Sequence, residues 1–429
     1  LQNDFWEEAM TRRHVTAILT ACTALAYVAP AQAGGFSRGT ADTDILFEEG
    51  NFNMRTGVAF VMPRRGFATV TAPANAGAVG LVPGKSYKST DDDYSQNYTV
   101  PSMAVKFNVT DDLRCAGTYT QPFGADSVYG PQAILFGALA DGTGTMNEEF
   151  ITNEFAATCG YKFDLAKGRA WLIGGAFIQD FTYSQTVQFA NSPLIPTPLR
   201  GTEAELSFDG GYEAGFRIGA AYEIPEYALR AQILYRSEVT HTPDGSFSTA
   251  IGGLPATGLG TLPQSVELKL QSGIAPGWLA FGSVKWTDWS VLDKLDYNIG
   301  VPTGVPPALG GDRELEYYFR DGWTVTAGVG HAFTEEISGV MGLTWDRGTS
   351  TTEDTLSDVY TAAAGVAFKD KIGGEVRFGG AISYLTAASV SAQADPNGEV
   401  GVYDPGATFA YSVDGDWTYA LSAGYKVNW

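Results

Sequence analysis

Apolar and polar residues alternate with a period of two along much of this chain. From Trp417 to Trp429 the odd positions are Trp417, Tyr419, Leu421, Ala423, Tyr425, Val427 and Trp429, and the even positions are small or polar. Successive side chains of a strand point to opposite faces, so one face of this segment suits hydrocarbon and the other suits water. The same pattern recurs where Leu229, Ala231, Ile233, Tyr235 and Val239 oppose Arg230, Gln232, Arg236 and Glu238, and where Val266, Leu268 and Leu270 oppose Glu267, Lys269 and Gln271. The alternation predicts 14 strands, near 56–72, 97–109, 113–121, 149–163, 169–186, 203–223, 227–240, 262–274, 278–296, 315–333, 336–347, 358–368, 373–390 and 417–429. Their connections are alternately short, as at Thr110–Asp112 and Ile224–Glu226, and long, as at 73–96 and 122–148. An even count, short turns on one side and long loops on the other predict an all-β fold, a transmembrane antiparallel β-barrel occupying residues 56–429. Trp171, Trp278, Trp286, Trp289, Trp323, Trp345, Trp417 and Trp429 fall near strand ends and are expected to form an interfacial girdle.

Composition sharpens this picture. Only 17% of residues are charged and 13% are aromatic, yet no uninterrupted apolar run of about 18 residues exists to make a spanning helix. A formal charge of -21 argues against nucleic-acid binding. Residues 1–9 read as an upstream extension. Residues 10–33 read as a signal peptide, with Arg12 and Arg13 before an apolar stretch from Val15 to Val28 and an Ala31-Gln32-Ala33 cleavage site. The Leu19–Cys22 segment resembles a lipobox, but the apolar region before it is short. Export places the remaining cysteines, Cys115 and Cys159, in an oxidising compartment. They fall on adjacent strands, on outward positions, and are a candidate disulfide.

Several motifs resemble the FadL-type long-chain fatty acid transporter family over most of 97–429. They are Leu262-Pro263-Gln264-Ser265-Val266-Glu267-Leu268 with Val284-Lys285-Trp286-Thr287-Asp288-Trp289-Ser290, and also Tyr235 to His241, Pro122-Phe123-Gly124 and Phe319-Arg320-Asp321-Gly322-Trp323. The resemblance implies a 14-stranded barrel with an N-terminal hatch in its lumen. It also implies passive uptake of long-chain fatty acids or other hydrophobic molecules with release through the wall. The hatch of that family ends in Asn-Pro-Ala. Here the corresponding segment, residues 34–55, is short, and no Pro follows Asn51 or Asn53.

Within that resemblance, Phe36, Ile45, Leu46, Phe47 and Phe52 of the hatch, with Leu279 and Phe281 of the wall, are candidates for a hydrophobic ligand groove. Arg38, Arg230, Arg236 and Lys269 are candidates for holding a ligand carboxylate, since a guanidinium fork matches that group. Asp42, Asp44, Glu48 and Glu49, with Asn51 and Asn53, are candidates for gating, the acids through pairs with lumen bases such as Lys106, Arg114 and Arg377. Apolar residues in loops 122–148 and 241–261, among them Phe136, Ile251 and Leu259, are candidates for an outer capture site. No cofactor and no metal site is expected. His241, near Asp244 and Ser246, keeps a surface hydrolase or adhesin as a remote alternative, and a general porin is the nearer one. The expected partners are hydrophobic small molecules, outer-membrane lipid and lipopolysaccharide, and the barrel-insertion machinery, and the protein is expected to be a monomer.

Overall fold

The computed structural model describes residues 34–300, 310–371, 373–392 and 407–429. The extension 1–9 and the signal peptide assigned to 10–33 lie outside the described residues. No described helix is long and apolar enough to cross a membrane.

Fourteen strands close on themselves as an antiparallel barrel. In chain order they are β1 (Phe52–Met62), β2 (Tyr98–Asn108), β3 (Leu113–Thr120), β4 (Glu154–Asp164), β5 (Arg169–Phe189), β6 (Glu203–Ile224) and β7 (Leu229–Arg236). Then follow β8 (Ser265–Ala275), β9 (Trp278–Thr287), β10 (Gly322–Ala332), β11 (Ile337–Asp346), β12 (Val359–Lys369), β13 (Gly374–Leu385) and β14 (Asp416–Asn428). Each strand pairs with its neighbour in sequence. The ring closes where β1 pairs β14 from Asn53↔Asn428 to Met62↔Tyr419. Closure matters because hydrocarbon offers no partner to an unpaired strand edge.

Inward and outward faces follow the alternation. Met103, Phe155, Leu172, Ile218, Leu268, Met341, Leu343, Phe378 and Leu421 all stand exposed on the outer wall. A continuous apolar belt of this kind is what a bilayer buries. Glycine lets rings pack closely on the inner face: the Phe281 ring and Met341 O lie where a Cβ on Gly328 would sit, so that position admits only Gly.

Several expected long strands are each two strands. The stretch 56–72 is β1 plus Phe67–Thr71, which pairs elsewhere. Likewise 278–296 is β9 plus Lys294–Ile299, 315–333 is an outer strand Gly311–Glu316 followed by β10, and 373–390 is β13 plus Ala388–Val390. The breaks fall at Pro63 to Gly66, at a 3-10 turn Trp289–Val291, around Tyr318 with its positive φ of 45°, and at Thr386-Ala387. Beyond them the alternation continues, but it serves an outer assembly. The strands Asp244–Thr249, Gly252–Leu262, Lys294–Ile299 and Gly311–Glu316 extend the wall. A small separate sheet joins Phe67–Thr71, Ser86–Lys88, Tyr411–Val413 and Ala388–Val390. Helix α1 (Pro131–Asp141) packs Phe136 under that sheet, so Phe136 is core, whereas Ile251 and Leu259 stay exposed. The acidic run at Asp91 is likewise structural: Asp91 accepts the Ala133 N–H at the start of α1, at 2.8 Å.

The expected girdle is corrected at two positions. Trp171 and Trp289 are buried inside, while Trp278, Trp323, Trp417 and Trp429 face out. Strand β7 is also shorter than expected. It stops at Arg236, and Ser237-Glu238 reverses the phase, so Val239 is buried and Glu238 exposed. Cys115 and Cys159 are a directly opposed pair on β3 and β4, joined by a disulfide with Cα atoms 4.0 Å apart.

Two outcomes follow. Met341→Arg, in the middle of β11 on the outer face, should destabilise the barrel by roughly 2–4 kcal/mol, while Phe333→Arg at the turn should cost about 0–1 kcal/mol. Reversible unfolding from lipid vesicles measures both. Thiol labelling of the denatured, unreduced barrel should find Cys115 and Cys159 blocked, and reduction should free both.

Candidate functional site in the barrel interior

The N-terminal segment Gly34–Asn51 meets side chains from most of the ring. Asp42 accepts Arg55 of β1 at 2.7 Å. Asp44 lies 3.3 Å from Arg230 of β7 and 3.2 Å from Lys269 of β8. Glu48 pairs with Arg55 and with Lys426 of β14. Glu49 reaches Arg169 of β5 at 3.1 Å and Arg114 of β3 at 4.0 Å. Lys106 of β2 donates to the carbonyls of Glu48 and Gly50, and Arg114 to those of Leu46 and Glu48. Burial alone would raise the carboxyl of Asp44, but Lys269, Arg230 and Arg55 outweigh it and hold the group well below the usual range. Burial likewise opposes ionisation of Glu48, yet Arg55 and Lys426 bring it down to about 2.

Between these ions the segment packs apolar side chains. Ile45, Leu46 and Phe47 are buried against Ala104, Ala116, Trp171, Ile173 and Ala221. Arg230 lies over the Phe47 ring at 4.4 Å. These three residues fix the segment to the wall and do not line the cavity described below.

Higher in the barrel, toward the long loops, the segment joins the wall by its backbone. The β2–β3 ladder runs from Asn108↔Arg114 to Ser102↔Thr120 and stops there. Beyond Thr120 the chain leaves β2 and bonds the N-terminal segment. Arg38 N–H donates to Pro122 O, Gly39 N–H to Gln121 O and Gly124 N–H to Phe36 O, each at 2.8 Å. Pro122 has no N–H to offer β2, which suits a break at this point. Gly39 is required: a Cβ there would meet Thr120 Oγ1 at 2.4 Å and Gln121 O at 2.8 Å.

Directly beside this junction lies a cavity of about 270 Å³. Phe36 forms one wall. Its ring centroid is 5.7 Å from Phe150, 5.5 Å from Tyr317 and 5.4 Å from Phe319, and Trp289, fully buried, lies 6.0 Å away. A second aromatic group faces it, with Phe67 4.9 Å from Tyr94 and 4.8 Å from Tyr411. Such edge-to-face and tilted arrangements suit apolar or aromatic guests. The polar lining includes Arg38, Arg65, Asp126, Glu148 and Asp354.

Of the expected groove residues, Phe36 alone borders the cavity. Phe52 belongs to β1, faces outward and packs 5.3 Å from Trp429 at the rim. It is therefore a wall residue rather than part of a lumen groove. Leu279 and Phe281 face inward at a distance from the cavity lining. Of the expected carboxylate clamp, Arg38 borders the cavity, with its guanidinium 4.1 Å above the Tyr98 ring. Arg230 and Lys269 are taken by Asp44, and Arg236 is taken by Glu154 at 2.9 Å. Glu154 also binds Arg217. Arg377 pairs with Glu375 of its own strand at 2.6 Å. Asn51 bonds the chain end through its backbone, N–H to Trp429 O at 3.1 Å. Buried Asn53, on β1, donates to Glu49 O at 2.8 Å. His241 is buried against Phe181, and Asp244 and Ser246 are exposed, so no hydrolytic group assembles. Among the described residues no cluster suited to a metal ion occurs.

The sequence profile of a family described as "Outer membrane protein transport protein (OMPP1/FadL/TodX)" matches residues 51–426. No curated protein sequence matches the chain. Among solved structures it is similar to a FadL homologue of Pseudomonas aeruginosa, at 14% identity and a TM-score of 0.66, covering 94% of this chain and 97% of that one. It is also similar to the toluene transporter TodX of Pseudomonas putida, at 14% identity and a TM-score of 0.56, covering 96% and 98%. The toluene transporter TbuX of Ralstonia pickettii is similar at 12% identity and a TM-score of 0.56, covering 94% and 98%. A profile match over most of its length, with a barrel of the same architecture, places the chain in the OMPP1/FadL/TodX family of outer-membrane transport proteins.

Proposed function

We propose that this outer-membrane barrel takes up hydrophobic molecules passively, with residues 34–51 as the hatch. On this reading a guest enters the aromatic cavity from the outer side and leaves sideways between β2 and β3. The observation that carries the reading is a break in the hydrogen-bond ladder of the wall. The β2–β3 ladder stops beside the cavity, and the missing backbone partners of the inward-turned chain come from Phe36, Arg38 and Gly39 of the hatch. A route through the lower lumen would cross the ion pairs around Asp44 and Glu48, where a greasy guest would strip charged groups of their partners. The side route avoids that cost. Long-chain fatty acids are the guests expected from the sequence. The similar toluene transporters add toluene as a second class of guest, and the ring-lined cavity is compatible with it.

A deletion strain and its complemented parent, compared for uptake of labelled oleate and labelled toluene, decide the reading. Complementation should restore at least one of them, and Phe36→Ala should lower the restored rate severalfold. Equal uptake by both strains would end the proposal. The hatch makes a second prediction in planar bilayers. Asp44→Lys removes two partners and sets like charges together. A broken buried pair costs ~3–5 kcal/mol, and the lower end applies to this partly hydrated site. The variant should therefore show open-channel conductance where the wild type is nearly silent. The third prediction is a pH dependence. Glu48 has a depressed folded carboxyl pKa of about 2, so its contribution to holding the hatch is complete above the ordinary carboxyl range. That contribution is lost as pH falls through about 2. Conductance should stay low from neutral pH through the ordinary carboxyl range and rise only below it. A rise near pH 6 would contradict this assignment.

A further inference from the structure

Two guanidinium groups border the aromatic cavity, those of Arg38 and Arg65, and they are treated differently by the fold. Arg65 donates to the carbonyls of Thr386, Asp414 and Thr355 and to Ser357 Oγ, all of them neutral oxygens. Arg38 is as enclosed, at 6% exposure against 5% for Arg65, but its Nε has no hydrogen-bond partner. Among the described residues its guanidinium makes no hydrogen bond and no ion pair. Its charge is nevertheless balanced. The guanidinium carbon lies 4.1 Å from the centre of the Tyr98 ring, and Asp126 and Glu149 act on it through space without pairing with it. The group is also held in place. Ser37 bridges Phe123 as one antiparallel pair, so Phe36 and Arg38 leave the backbone on the same face, and both border the cavity. Arg38 also packs on Gly124, where a Cβ would come within 2.7 Å of its Cζ, so the glycine leaves the slot that Arg38 fills.

An arginine side chain only donates, and a buried donor without an acceptor is costly. A guest that completes Arg38 must therefore bring an acceptor. It need not bring charge, because the charge is already balanced. A carboxylate would set another negative charge near Asp126 and Glu149, in a cavity that Glu148 and Asp354 also border. Those last two carboxyls have protein donors of their own, the Tyr183 hydroxyl for Glu148 and the Thr355 N–H for Asp354. Given that the cavity is the transport site of the proposed function, we propose that Arg38 is its head-group site for neutral hydrogen-bond acceptors, and that the guests it favours are ketones and esters on a hydrocarbon or aromatic body. The rings hold the body and the guanidinium takes the carbonyl oxygen. Tyr98, which also borders the cavity, adds a hydroxyl to the same corner. The guanidinium thus serves a carbonyl rather than the carboxylate that its residue type suggests, as Arg65 does within the protein itself.

The test uses the full barrel in lipid nanodiscs at neutral pH, with empty nanodiscs as the blank. Three probes share one skeleton: (4-methylpentyl)benzene, 5-phenylpentan-2-one and 4-phenylbutyrate, each titrated calorimetrically. In an apolar cavity without a free donor the hydrocarbon would bind best, because the ketone would lose its hydrogen bonds to water. Here the ketone should bind at least as tightly as the hydrocarbon and about tenfold more tightly than the carboxylate. In Arg38→Met the ratio of ketone to hydrocarbon affinity should fall about tenfold. Carboxylate binding as tight as ketone binding overturns the inference, and so does an Arg38→Met ratio equal to that of the wild type. The hydrocarbon is the control for the underlying reading. If it binds while the ketone binds far more weakly, only this inference falls. If none of the three binds, the cavity is not the transport site and both readings fall. The wild-type order decides the matter even if the variant fails to insert.

Discussion

In hydrocarbon a strand has no water to satisfy its edge, so the closed hydrogen-bond ladder from β1 round to β14 governs everything else in this protein. It dictates the even strand number, the alternating faces and the placement of the start of β1 and the end of β14 on one side. It also makes any interruption of the ladder informative. The wall is interrupted where β3 leaves β2 after Thr120, and there the N-terminal segment supplies the backbone partners. A plug held only by side chains could be released without disturbing the wall. Here residues 36–39 and the wall share backbone bonds, so movement of one changes the hydrogen-bonding of the other.

The interior charges follow from the same enclosure. Burial inside the barrel makes an unpaired ion costly, and the bases around Asp44, Glu48 and Glu154 find acids or carbonyls. Arg55 collects Asp42 and Glu48, Asp44 collects Arg230 and Lys269, and Glu154 collects Arg217 and Arg236. The consequence for ligand chemistry is direct. Most cations that a sequence would offer to a fatty-acid carboxylate are spent on holding the structure closed. Of the four candidate clamp residues Arg38 alone borders the cavity, with its charge already stabilised by Tyr98, and Arg65, which also borders it, is bonded to carbonyls.

The barrel was legible in the sequence because period-two alternation is imposed by the bilayer on every spanning strand. Turn positions were legible for the same reason, as Asp111-Asp112 and Pro225-Glu226 show. The outer assembly was not. Lys294–Ile299 and Phe67–Thr71 also alternate, so nothing in their pattern marks where the membrane ends. Trp289 was misread because an aromatic residue beside a strand end looks the same whether it turns to lipid or to the interior. The charge pairing of Asp44 with Arg230 and Lys269 could be anticipated from complementarity. The roles of Arg55, Arg169 and Lys426 were missed, since a base on a wall strand carries no label for its partner. The backbone junction at Phe36 to Gly39 leaves no side-chain signature at all; a glycine followed across the fold by Gln121-Pro122 is its only trace.

The interior thus divides into two chemically different halves. The lower half is a lattice of paired ions around Asp44 and Glu48, and the upper half is a ring-lined cavity with a few polar groups. On the proposed route a hydrophobic guest favours the second over the first, because entering the lattice would separate paired charges. Beside the cavity the β2–β3 ladder ends, the backbone of residues 36–39 fills the break, and apolar side chains such as Met103 line the outer face. On the proposed lateral route, movement from cavity to bilayer would need only a shift of the Phe36–Gly39 junction, and the charged lattice, by making the axial path unfavourable, would direct the guest sideways.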